Sequence, residues 1–204
     1  TFLESEVMWR SEMVRTAIFP ILQAAIKKDG NDIIKELLDR STTGIASNLF
    51  TSRETEVQLK IQILRRLSMA ALCVSPVTLQ TFWPLIQERI VELLKSCSGV
   101  ASMHVFIFMR CCLFGLSDNA ITSLVALLHP TIMEALSMAA ESGEQGEDSL
   151  YQLTGIFCFL DCIFLLHRHI AVAYLWGICS PSTTEGILKD IADKHQLAAP
   201  KVLS

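Results

Sequence analysis

Apolar residues recur at intervals of three and four along nearly the whole chain, and this spacing most constrains the fold. A clear instance runs from Phe82 through Ile90 to Cys97, with charged and amide side chains between the apolar positions. That spacing places the apolar side chains on one face of an α-helix. No stretch of useful length alternates between apolar and polar residues, as a half-buried strand would. We therefore predict an all-α fold.

The composition favours long helices with an unusually apolar surface. The 204 residues include only 9 glycines and 6 prolines, which together make up about 7% of the chain. Glycine and proline together make up roughly 12% of a typical globular protein. Hydrophobic residues make up 51% of the chain and charged residues only 19%. We therefore expect another domain or a partner to cover part of the apolar surface. The 7 cysteines are an odd number and lie mostly in apolar runs, so we interpret them as reduced core residues rather than a disulfide framework.

Two segments 46 residues apart resemble each other. The letters P-L-I-Q-E-R-I from Pro84 and P-T-I-M-E-A-L from Pro130 share the proline, an isoleucine, a glutamate and a final aliphatic residue. Their spacing falls within the repeat length of HEAT and armadillo proteins. We therefore predict a HEAT/armadillo-like stack of helical hairpins, with each proline at the start of a helix. Unrelated helical hairpins remain the alternative.

We predict a single helical domain over residues 1–204. Repeat-like helices occupy 1–140, an exposed acidic loop occupies 141–149, and a terminal helical group occupies 150–204. Within these parts we predict helices over 2–19 with a continuation after Pro20, and over 32–40 after a break at Gly30. Further predicted helices are the one entered through Pro84 and those over 52–74, 102–116, 120–128, 130–140, 150–166, 170–179 and 183–195.

Two apolar stretches come close to the length of a membrane span. Residues 100–116 are interrupted by His104 and Arg110, and residues 155–179 by Asp161 and the His167–His169 run. A span needs about 20 consecutive apolar residues. We therefore interpret both stretches as core helices.

The sequence contains no glycine-rich phosphate loop and no nucleophile motif. Cys158, Cys162, His167 and His169 could be assembled into a zinc set, but the cysteines lie in a very apolar stretch. We predict no metal, no cofactor and no catalytic activity. The remaining histidines, which we expect at helix caps or on the surface, are His104, His129 and His195.

Arg110 and Asp161 are lone charges in apolar helices. A buried unpaired charge is costly, so we predict that the two form a buried ion pair. The alternative is a catalytic Asp161 with a raised pKa. No second carboxylate, nucleophile or metal motif lies near it in the sequence.

Basic side chains are concentrated in the first half of the chain. Residues 1–115 carry a net charge of +2, whereas residues 116–204 carry −6. Four basic residues on one predicted helix are candidate contacts for anionic lipid or a partner: Arg53, Lys60, Arg65 and Arg66. The alternative is an ordinary solvated helix face. The acidic side chains around Gly143–Gly146 argue against a nucleic-acid partner.

Several short strings occur in an order that resembles the C-terminal region of the Dopey family. They are Asn48-Leu49-Phe50, Ile63-Leu64-Arg65-Arg66-Leu67, Pro84 with Gln87-Glu88-Arg89-Ile90-Val91-Glu92, Val105-Phe106-Ile107-Phe108-Met109-Arg110, Thr122-Ser123-Leu124 with Pro130 and Glu134, Phe159-Leu160-Asp161, and Tyr174-Leu175-Trp176. No one string is specific, but their shared order is. The resemblance extends from about Ile34 to Trp176, and the first thirty residues and the tail after Pro181 match poorly or not at all.

This resemblance implies a very large cytosolic scaffold, peripheral on Golgi, trans-Golgi network and endosome membranes. It implies complex formation with an Arf-exchange-factor-related scaffold of the Mon family and a connection to an aminophospholipid flippase. Kinesin light chain and Golgi phosphoinositide are further implied contacts. It carries no catalytic motif. Two alternatives to this role are an armadillo-like adaptor outside membrane traffic and a helical module that holds a lipid chain.

Overall fold

The computed structural model describes residues 19–42, 53–141 and 146–172. Regular secondary structure in these ranges is α-helical, without a strand, which confirms the predicted all-α fold. Residues 168–172 are also helical. The long helices are α1 (Phe19–Thr42), α2 (Arg53–Cys73), α3 (Pro76–Ser96), α4 (Gly99–Cys112), α5 (Asp118–Glu141) and α6 (Glu147–Leu166).

Only two residues separate α2 from α3, and two separate α3 from α4. Ser75 caps α3, because the Thr78 N–H donates to its side-chain oxygen at 3.1 Å, and Pro76 takes the first helical position. The chain enters α4 through Gly99 at a φ of +54°. Glycine adopts this left-handed conformation without strain from a Cβ atom.

Helix α1 passes through Gly30 without the break that we predicted there, so the separate helix over 32–40 was wrong. Gly30 is buried, and a Cβ atom on it would lie 3.1 Å from Ile26 Cγ2 and 3.4 Å from Val74 Cγ1. The small residue therefore lets α1 lie close to the turn between α2 and α3. Packing on both sides of Gly30 offsets its intrinsic helix cost of about 1 kcal/mol.

Pro84 and Pro130 lie inside α3 and α5, which corrects our prediction that each begins a helix. Residues upstream of both prolines already belong to the core. Leu79 in α3 and Leu124 in α5 are almost fully buried. Their burial keeps the preceding turns helical, so 120–128 and 130–140 are parts of one helix.

An interior proline leaves the carbonyl group four residues earlier without its usual amide partner. Those carbonyl groups belong to Gln80 and Ala126, and both residues are exposed. Water can therefore satisfy the carbonyl oxygens. The exposed position of these residues is consistent with two long helices that tolerate proline in their interiors.

The six helices pack in two rows. Helices α2, α4 and α6 contact one another in order, as do α1, α3 and α5. Contacts within the pairs α1/α2, α3/α4 and α5/α6 join the two rows. A stack of helical hairpins produces such neighbour contacts. The arrangement is compatible with HEAT-like stacking, which stays a prediction.

The most extensive contact joins α4 to α6. A Cβ atom on Gly155 of α6 would lie only 2.9 Å from the Met103 Cα atom of α4. The rings of Phe106 and Phe159, both fully buried, lie 6.3 Å apart between the same two helices. Gly155 therefore lets the two backbones approach closely enough for these aromatic side chains to pack.

The predicted boundaries of α4 and α6 were shifted. Helix α4 occupies Gly99–Cys112 rather than 102–116, and α6 begins at Glu147 rather than at Leu150. Residues 147–149 thus belong to a helix, because acidic residues in a first turn stabilise the helix N-terminus. The predicted helix over 183–195, most of those over 2–19 and 170–179, and residues 142–145 of the acidic loop lie outside the described residues.

Two of the described helices are long and apolar enough to cross a membrane, judged by length and composition. They are α5, over Asp118–Ala139, and α6. In the 18-residue apolar window of each helix a minority of residues is buried inside the protein, 33% in α5 and 39% in α6. Both contribute one face to the shared core, as amphipathic helices of globular proteins do.

Candidate docking surfaces

The outer face of α6 is unusually apolar. Leu150, Phe157 and Phe164 lie seven residues apart on the same side of the helix and are 52%, 56% and 46% exposed. Leu165 beside them is 74% exposed. We call Leu150, Thr154, Phe157, Asp161, Phe164 and Leu165 the α6 outer face. Exposed apolar side chains in one stripe are typical of an interaction surface.

Asp161 lies in the middle of the α6 outer face and is exposed. The prediction that it is buried was therefore wrong. Ion pairs among the described residues do not include one between Asp161 and Arg110. The buried side of α6 instead carries Ile156, Phe159 and Ile163. Because Asp161 is only four residues from Phe157, it faces the same way as that exposed ring.

Arg110 is half-buried in the last turn of α4. A cation at this end of a helix interacts favourably with the unpaired carbonyl groups there. This position accounts for a positive charge in an apolar helix without a carboxylate partner.

The four basic residues that we singled out all lie on α2, where Arg53 is the first residue. Lys60, Arg65 and Arg66 do not share one face, because Arg65 and Arg66 are turned away from the Lys60 side by more than 100°. Lys60 lies near Cys97, and Arg65 lies near His104. Contact of these residues with anionic lipid or a partner stays a prediction.

His104 lies in the interior of α4 and is only 7% exposed, so our expectation of a cap or surface position was wrong for it. Neither ring nitrogen has a hydrogen-bond partner. Burial, with a smaller effect of the nearby Arg65 charge, lowers the pKa of His104 to about 4. The ring is therefore neutral at physiological pH. His129 is half-buried, and His195 lies outside the described residues.

Two other histidines join the end of α6 to the start of α5. His169 Nε2 lies 3.1 Å from Asp118 Oδ2, and His167 Nδ1 lies 3.7 Å from Asp118 Oδ1. His167 Nε2 also lies 3.3 Å from the Leu113 carbonyl oxygen. In the part of the chain that the structure describes, no group of three or more histidine, cysteine or acidic residues has a metal-binding arrangement.

Three of the described cysteines lie in the core, whereas Cys97, Cys111 and Cys158 are half-buried. Cys73, Cys112 and Cys162 are buried, which confirms their predicted role as small apolar residues. Burial raises the pKa of Cys111 to about 11 and that of Cys112 well above 9.0. Both thiols therefore stay protonated, and an activated thiolate is not favoured at either position.

A shallow groove of about 370 Å³ separates α3 from α5. Its apolar lining includes Val91, Leu94 and Leu127, and its charged residues are Lys95 and Glu134. Nearby, Gln87 Nε2 donates a hydrogen bond to Ser123 Oγ at 2.8 Å and so ties the two helices together. A larger open cavity of about 860 Å³ lies between α1 and the α2–α3 turn.

One protein-family model matches the part of the chain that contains all six described long helices. The family model described as DOP1 C-terminal matches residues 1–168. The chain belongs to the Dopey family. The Dopey match begins at residue 1, so our expectation that the opening thirty residues lie outside the resemblance was wrong. No solved structure matches the chain.

Sequence reasoning missed the α6 outer face of this Dopey domain. The overall apolarity of residues 150–166 led us to assign the whole helix to the core. Leu150, Phe157 and Phe164 recur every seven residues, but so do Ile156 and Ile163 on the buried side. Two such stripes indicate two apolar faces on the helix without showing which of them packs on the core.

Proposed function

We propose that this Dopey domain is a non-enzymatic docking module of a scaffold that acts in membrane traffic between the Golgi and endosomes. The match to the Dopey C-terminal region over residues 1–168 carries the proposal. The exposed apolar stripe on α6 supports it, since docking modules display such surfaces. The proposed location is peripheral on the cytoplasmic side of Golgi, trans-Golgi network and endosome membranes.

The proposed partners are those that the family resemblance implies. They are a Mon-family scaffold related to Arf exchange factors and, through the assembled complex, an aminophospholipid flippase. Kinesin light chain and Golgi phosphoinositide are further proposed contacts. The basic residues of α2 supply the positive charge that an anionic headgroup requires, although Lys60 lies on a different side of the helix from Arg65 and Arg66.

Affinity purification tests this proposal. The 204-residue chain is tagged, expressed in cultured cells and purified beside an unrelated helical-repeat domain of similar size. Mass spectrometry should find Golgi and endosome proteins, including the Mon-family scaffold, enriched with the Dopey chain alone. Enrichment confined to nuclear or cytoskeletal proteins would reject the trafficking role and favour an adaptor of another pathway.

A further inference from the structure

We propose that the α6 outer face binds a basic amphipathic α-helix of a protein partner. This inference deepens the proposed scaffold role, on which it rests, by naming a surface and the chemistry of its occupant. Leu150, Phe157 and Phe164 are all about half exposed, and a stable fold seldom leaves three such side chains in one stripe without use. A partner helix would remove them from water.

The spacing of exposed residues fits a helix rather than a flat or irregular partner. Leu150, Thr154, Phe157, Asp161 and Phe164 follow one another at alternating intervals of four and three. This is the 3.5-residue repeat by which one α-helix packs along another. Helix α6 spans 20 residues, or about 30 Å, so a partner helix of similar length could contact the whole stripe.

Charge identifies the occupant as basic. Helix α6 contains Glu147, Asp148 and Asp161 and no lysine or arginine. Asp161 lies at the centre of the apolar stripe, where a docked helix would cover its carboxylate. A covered carboxylate needs a cationic or hydrogen-bonding partner, so the docked helix should present lysine or arginine opposite Asp161.

The same charges disfavour an anionic membrane as the occupant. Helices that lie on such membranes carry lysine and arginine beside their apolar face. Here the central charge of the stripe is negative. Among the described residues that follow α6 in the chain, 167–172, Arg168 is the only lysine or arginine. A negatively charged lipid surface would repel Asp161, whereas a basic protein helix would neutralise it.

Two designed peptides of about 20 residues provide the probe. Both form helices with leucine at the heptad contact positions, and they differ only in carrying lysine or glutamate opposite Asp161. Fluorescence anisotropy measures their binding to the 204-residue chain. The lysine peptide should bind about tenfold more tightly than the glutamate peptide.

Substitutions on the face should change this result in defined ways. Asp161→Lys should reverse the preference, and Phe157→Ser should weaken binding of both peptides about tenfold. Asp32→Lys, an equal charge change at an exposed position on α1, is the matched control and should leave the preference unchanged. Because all three residues are exposed, the thermal unfolding of each variant should match that of the unmodified chain.

Several results would overturn the inference. They are no binding of either peptide, an unchanged preference in Asp161→Lys, and full binding by Phe157→Ser. It would also fail if phosphatidylserine vesicles or a second copy of the chain occupied the face in a Phe157-dependent manner and excluded the lysine peptide. Purification of Golgi partners by the Phe157→Ser chain would leave the scaffold role intact while placing their docking site elsewhere.

Discussion

Replacement of His104 by leucine should change how the stability of the domain depends on pH. The imidazole is buried in α4, and neither ring nitrogen has a hydrogen-bond partner. Leucine has a similar volume and carries no polar atom. It should therefore fill the site without the cost of two unpaired nitrogens, and the variant should be at least as stable as the original chain at neutral pH.

The pKa of His104 sets the size of the effect. Burial and, to a smaller extent, the Arg65 charge lower this pKa from 6.5 to about 4. Between these values the unfolded chain holds a proton on the imidazole that the folded chain does not. Stability should therefore decline as the pH falls from 6.5 towards 4. At about 1.4 kcal/mol per pH unit, the full loss is about 3 kcal/mol.

Urea unfolding followed by circular dichroism measures this difference. The stability advantage of His104→Leu should grow by about 3 kcal/mol as the pH is lowered across the window from 6.5 to about 4. Arg65→Gln should raise the pKa of His104 only partly, as read from its imidazole resonance by NMR, because burial has the larger effect. A constant stability difference at every pH would show that His104 is not buried in its neutral form.

Three further predictions concern packing, backbone and thiols. Gly155→Ala should destabilise the fold by about 1 to 3 kcal/mol, because its Cβ atom meets the α4 backbone. Gly30→Ala, whose Cβ atom meets only side chains, should be neutral or stabilising by up to about 1 kcal/mol. Equal shifts in the melting temperatures would contradict the close contact of α4 with α6. Pro84→Ala and Pro130→Ala should each stabilise the fold by about 1 kcal/mol or more, since the alanine N–H restores a helical hydrogen bond. Lower melting temperatures would show that the proline ring itself is needed. Cys111 and Cys112 should react with iodoacetamide much more slowly in the folded chain than in urea, because burial raises the pKa of both thiols. Similar alkylation rates by peptide mapping would contradict that burial.

The helical fold was predictable because its signal repeats in every segment. Apolar residues at intervals of three and four occur from α1 to α6, and no single substitution hides them. The predicted breaks failed because rules for glycine and proline are local. At Gly30, Pro84 and Pro130, buried residues on both sides keep the helix continuous. Their packing offsets the helix-forming cost of glycine or proline, and a rule based on one residue type does not include that packing.

The orientation of single residues in apolar helices was not predictable. Helix α6 is apolar around most of its circumference, so the sequence does not indicate which side faces the core. Asp161 was assigned to the wrong side for this reason. For His104 the error was the reverse. We expected this polar side chain at a cap or on the surface, but it lies in the core in its neutral form.

The two interior prolines also have a mechanical consequence. Pro84 and Pro130 each remove one backbone hydrogen bond from neighbouring helices of the same row, at the carbonyl groups of the exposed residues Gln80 and Ala126. A helix bends most easily where such a bond is missing. Under an applied force, the row formed by α1, α3 and α5 should therefore bend before the row formed by α2, α4 and α6. The second row contains no interior proline. Pulling on the domain would then change its curvature before it broke the contact of α4 with α6.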